Sequence, residues 1–128
     1  WASSYVQTAD IDLTGVTCTP IGSSADAFTG VYDGSNLKIS NWSFSGSVQY
    51  MGVFGLVSGG TLKNIELSGV CTISNTFSPD GITGFLTGCV NASSDVYNIN
   101  SSFEEDTTLS SSSSALGGLI GWCTSSTL

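Results

Sequence analysis

The chain contains no histidine, and only Lys38 and Lys63 are basic among its 128 residues. Without an imidazole, no Ser–His or Cys–His pair exists to activate a nucleophile. There is no C-x-x-C, so zinc finds no ligand pair at its usual spacing. Ten acidic residues against two basic ones leave a net charge of −8. Such a surface repels phosphate backbones, which argues against a nucleic-acid partner. No apolar run reaches the roughly 18 residues of a membrane-spanning helix, so no membrane insertion is expected. Charged residues make up only 9%, against roughly 25% in ordinary soluble domains.

Glycine, serine and threonine fill the space left by charge. They suit short strands and tight turns and disfavour helices. With 40% hydrophobic residues, the chain is long enough for a real core. It begins at Trp1, with neither an initiator Met nor a signal peptide, and is read as a processed chain or a part of one.

Two repeats run through the sequence. "MGVFGLV" at 51–57, "GFLTGCV" at 84–90 and "LGGLIGW" at 116–122 align on Gly55, Gly88 and Gly121, which recur at intervals of 33 residues. A period of that size points to stacked supersecondary units. A second pattern, [DN]-apolar-x-apolar-[ST]-Gly, appears as "DIDLTG", "NWSFSG", "NIELSG" and a degenerate "NINSS". Its anchors are Asp10, Asn41, Asn64 and Asn98. Its alternation is the period-two signal of half-buried strands.

Together the repeats predict an all-β chain, a β-solenoid of about four to five short-stranded coils forming one domain over 1–128. Residues 1–8 read as an N-terminal strand or arm and 104–115 as a Ser-rich loop excursion. The glycines are expected to supply positive φ angles and room for the next coil. Val53, Leu86 and Leu119 should form one interior column, and Ile11, Trp42, Ile65 and Ile99 another. Asp10, Asn41, Asn64 and Asn98 should form an amide ladder at a corner.

The run from Ile11 through Leu13, Pro20–Gly22, Phe28, Gly30, Tyr32, Asp33 and Gly34, followed by Gly-rich coils, resembles secreted β-solenoid proteins carrying the GLUG motif. The resemblance covers roughly residues 8–123. It implies a surface or secreted protein concerned with structure or adhesion rather than catalysis. The four cysteines and the Ser-rich insert at 107–114 depart from the pattern.

An even cysteine count in an acidic, Ser/Thr/Gly-rich chain favours an oxidising compartment. The sequons at Asn41, Asn91 and Asn100 point the same way. Glycan is expected at Asn91 first, Asn100 second, and Asn41 last. Stacked coils would bring Cys89 beside Cys123, leaving Cys18 with Cys71. Asp10, Asp12 and Asp33 carry calcium-binding chemistry but read better as a solvated face, and Asp33–Asn36 as a turn. Glu104, Glu105 and Asp106 form an exposed acidic cluster, and no enzymatic role, cofactor or metal is expected. Trp1, Tyr5, Tyr50 or Trp122 could stack on sugars. An ice-binding face would need a T-x-T column at the coil period, and "TCT" at 17–19 stands alone.

The function expected from these readings is a glycosylated extracellular subunit of a surface filament or layer. Its last coil stops at Leu128 before the strand that should follow, so that strand is expected from outside the segment: from the next subunit, by head-to-tail edge-strand addition, or from a continuation of a longer chain. An adhesin binding carbohydrate is the alternative, and an ice-binding protein a third reading.

Overall fold

The computed structural model describes residues 1–112 and 115–125. Among them there is no helix. Strands β1 (Ser4–Val6) and β2 (Ile11–Asp12) come first, then β3 (Val31–Ser40), β4 (Ser43–Gly46), β5 (Tyr50–Met51) and β6 (Phe54–Ser58). A second round follows with β7 (Thr61–Gly69), β8 (Thr72–Asn75), β9 (Ile82–Thr83) and β10 (Thr87–Asn91). A third has β11 (Asp95–Phe103), β12 (Thr108–Ser111), β13 (Ala115–Leu116) and β14 (Ile120–Cys123).

Each strand of one round pairs with its counterpart in the next, and every pairing among the described residues is parallel. Four parallel sheets result: β1-β3-β7-β11 with β2 beside β3, β4-β8-β12, β5-β9-β13 and β6-β10-β14. The opening round is shorter. It adds β1 and β2 to the first sheet, while Ile21 and Phe28 bridge to Phe54 and Val57 of β6.

The 33-residue period is present as register. Phe54 stands beside Thr87, and Thr87 beside Ile120. Ile21 extends the same row by another 33 residues. The three glycines therefore gain a fourth, Gly22. A Cβ on Gly55 would lie 2.3 Å from the Gly22 carbonyl oxygen, and one on Gly121 would lie 2.7 Å from that of Gly88. Close backbone approach is why these positions take glycine. Only Gly22 of the four has a positive φ, at 86°, so the expected conformational reason fails at Gly55, Gly88 and Gly121.

The core lies between the sheets. Val53 and Leu86 are buried, and Leu119 packs against them from the last round. The ladder bond from Leu86 N–H to the Leu119 carbonyl joins two members of that column. The second expected column needs correction. Ile65 and Ile99 are in register, but their partner in the earlier round is Leu37. Ile11 stands beside Ile39 instead, and Trp42 sits at the corner after β3. For Ile11 this is a two-residue slip, which keeps the inward parity of a strand and so is invisible to alternation alone, whereas Trp42 lies five positions past Leu37.

Two further expectations change. Asp33–Asn36 is not a free turn but a bulge inside β3. Gly34, Ser35 and Asn36 together oppose Asn64 of β7. The segment 104–115 is not wholly a loop. A turn closes with Thr107 N–H donating to the Glu104 carbonyl, and Thr108–Ser111 then pairs along β8. Its alternation was masked by serine-rich composition. Ser113 and Ser114 of this run lie outside the described residues, as does the expected end of the chain at Leu128.

Candidate functional site

The long strands of the first sheet bend at asparagine. Asn36, Asn64 and Asn98 all take left-handed φ values of 57°, 55° and 53°, a region asparagine tolerates better than most residues. Asn98 Nδ2 donates to Asn64 Oδ1 at 2.7 Å and to Asn36 Oδ1 at 3.0 Å. Asn64 Nδ2 donates to Asp33 Oδ1 at 2.9 Å. An amide ladder exists, with membership different from the one expected. Asn64 and Asn98 belong to it, Asn36 was missed, and Asp10 and Asn41 lie elsewhere. Asp10 accepts from the Lys38 backbone N–H. Asn41 makes a second ladder, donating to Asp12 Oδ1 at 2.8 Å and accepting from Val70 N–H.

These bonds also occupy the carboxylates considered for calcium. Asp33 is held below the ordinary aspartate range, chiefly by Asn64 and then by the Ser35 backbone N–H, with Lys63 Nζ 3.2 Å away. Asp12 is lowered by Asn41 and by the Thr14 hydroxyl and N–H. No group of three or more His, Cys, Asp or Glu side chains placed to hold a metal occurs among the described residues.

All four cysteines are free thiols. Cys89 is in register with Trp122, and Cys123 with Val90. Successive strand residues face opposite ways, so the register that brings Cys89 and Cys123 close also turns their thiols apart. Trp42, whose carbonyl accepts from Thr72 N–H next to Cys71, occupies the round between Cys18 and Cys71. Neither expected disulfide forms. Burial pushes the Cys18, Cys71 and Cys89 thiols up, Cys89 also through Cys123 nearby.

The sequons separate by environment. Asn100 is exposed on β11. Asn91 is half-buried, with its Oδ1 enclosed and unpartnered. The turn after it is fixed by Ser94, whose buried hydroxyl donates to the Asn91 carbonyl and accepts from Gly59 N–H at 2.8 Å. Asn41 is half-buried and both ends of its amide are bonded. Asn100 is thus the exposed sequon, whereas Asn91, expected to lead, is half-buried. Sequence alone could not see that the Asn91 turn folds back against a neighbouring round.

Glu104, Glu105 and Asp106 are exposed. Of the aromatics considered for sugar stacking, Trp1, Tyr5 and Trp122 are exposed and Tyr50 is half-buried. Residues 1–8 are engaged within the chain. Ser4–Val6 pairs with Val31–Asp33, and Thr29 N–H donates to the Trp1 carbonyl. Among the described residues the sheets are open at both sides. β11, β12, β13 and β14 each have one strand neighbour, as does β1 at the opposite side. Apolar side chains lie at both openings. Ile11, Leu13 and Ile21 rim a cavity of about 330 Å³ over Ile39 and Trp42. Ile99, Leu119 and Ile120 rim one of about 400 Å³.

No family model matches the chain, no curated protein is significantly similar to it, and no solved structure matches it.

Proposed function

We propose that the chain is a β-solenoid module of an extracellular surface filament or layer, related to the GLUG-motif proteins it resembles. The observation that carries this reading is the continuous parallel register of four strand columns over three full rounds. A stack of this kind grows by adding one more round to an open edge, which offers unpaired backbone groups and an uncovered apolar interior. The first round of a second copy meets the last round of the first, so that Ile21 continues the row of Phe54, Thr87 and Ile120. This is a heterologous contact, which generates filaments when it does not close. Residues 1–8 already pair within their own chain, so stacking replaces the exchange of an N-terminal arm.

The exposed Asn100 sequon and the acidic, hydroxyl-rich surface support an extracellular setting. No catalytic step is assigned, because the Asp12 and Asp33 carboxylates are bound into ladders and no imidazole exists. Light scattering over a concentration series tests the reading. The mass should rise above the 13.1 kDa subunit in multiples of it. Leu116→Lys with Trp122→Lys, two exposed sites on the last round, should hold the protein at subunit mass. A wild-type chain that stays monomeric at high concentration contradicts it.

A further inference from the structure

The outward face of the β4-β8-β12 sheet carries a regular hydroxyl array. Ser43, Thr72 and Thr108 stand in one row across the strands, and Ser45, Ser74 and Ser110 in another. The residue between the rows points inward: Phe44, Ile73 and Leu109 pack into the core. Every strand thus reads [ST]-apolar-[ST]. The "TCT" at 17–19 has the same form, and Thr17 and Thr19 share a surface depression with Ser43 and Ser45. The solitary stretch in the sequence therefore borders an array of three strand copies of the same form. The others escaped notice because their spacing varies and serine often replaces threonine.

Three observations mark this face, and the first two set it apart from the β1-β3-β7-β11 sheet. The two pairings that build it run without a bulge. None of its six outward residues is charged, although the chain carries a net −8 and the first sheet places Lys38 beside Glu66. Of the six hydroxyls, only Ser110 has a hydrogen-bond partner among the described residues, the Ile73 carbonyl at 3.3 Å. The hydroxyls are spaced about 4.8 Å along the stack and roughly 6.6 Å across it, as strand geometry requires.

We propose that this face binds ice. A rigid two-dimensional grid of hydroxyls, mixed with threonine methyls and free of charge, can order water at the repeat of an ice surface. Rigidity matters because the grid need not be ordered at the moment of binding. A charged face would hold its own hydration shell instead. The aromatic side chains that stack on polysaccharide rings are absent from these six positions. Ice binding by this face does not depend on end-to-end assembly, since the face runs alongside the sheet edges.

The test is growth of single ice crystals in solutions of the whole chain, together with inhibition of recrystallisation in frozen films. Wild type should facet the crystals and keep grains small. Thr72→Tyr, at an exposed position in the middle of the array, should abolish both effects. Ser102→Tyr on the exposed side of β11 should leave them intact. Circular dichroism confirms that each variant is folded. Ser45→Thr with Ser74→Thr, which adds methyls to the second row without disturbing β structure, should strengthen the inhibition. Round, unfaceted crystals with folded wild type overturn the proposal. So does equal loss in Ser102→Tyr, or retention on crystalline cellulose or chitin without any effect on ice.

Discussion

A glycine in this chain is a statement about its neighbour in the next round. Gly55 has no room for a Cβ, whereas Gly118 has no atom within 4 Å of that position. Gly55→Ala should therefore lower stability by roughly 1–3 kcal/mol, the usual cost of overpacking, while Gly118→Ala should be near neutral; urea titration of both variants checks the contrast. The asparagine ladder gives a pH signature. Asp33 is held below the ordinary value of 3.8 first by Asn64, so its contribution is fully present above that value. It is lost as pH falls through the lowered folded value. Asn64→Ala removes the donor, and its melting temperature should fall less steeply below about pH 4 than that of wild type. Parallel acid slopes for the two proteins would show that Asn64 does not set the Asp33 titration.

The strand elements show what was legible and what was not. The glycine period fixed one sheet, because glycine is demanded there by backbone contact and nothing else fits. The [DN]-apolar-x-apolar pattern found real strands but placed Asn41 and Asp10 in the wrong row. Asp10 is off by two residues, which preserves alternation, and Asn41 lies five positions past Asn36, beyond a bulge at Gly34–Asn36 that lengthens the strand, so only three-dimensional register places them. Asn75 was also beyond reach. It is buried between the second and third sheets, donating to the Val48 carbonyl and the Thr83 hydroxyl and accepting from Val48 N–H. Nothing in its local sequence marks it. The sequons follow the same lesson, since accessibility depends on the neighbouring round. Glycopeptide mass spectrometry after expression in a glycosylating host should find Asn100 occupied well above Asn91 and Asn41. Occupancy led by Asn91 would mean that its turn opens in solution.

At the scale of the whole molecule, rounds stack against one another and the four cysteines stand as free thiols. Four thiols should react with a thiol reagent in denaturant. In the native protein Cys123, exposed on the last round, should react first, and buried Cys71 and Cys89 last. Fewer than four thiols in the denatured, unreduced protein would restore a disulfide. The central claim is that residues 33 positions apart lie side by side in parallel. Backbone nuclear Overhauser contacts linking Phe54 to Thr87, and Thr87 to Ile120, measure it most directly. The account predicts the parallel pattern of amide-to-α-proton contacts along both steps, with the Gly55, Gly88 and Gly121 backbones adjacent. Antiparallel contacts, or none between positions 33 apart, would contradict it.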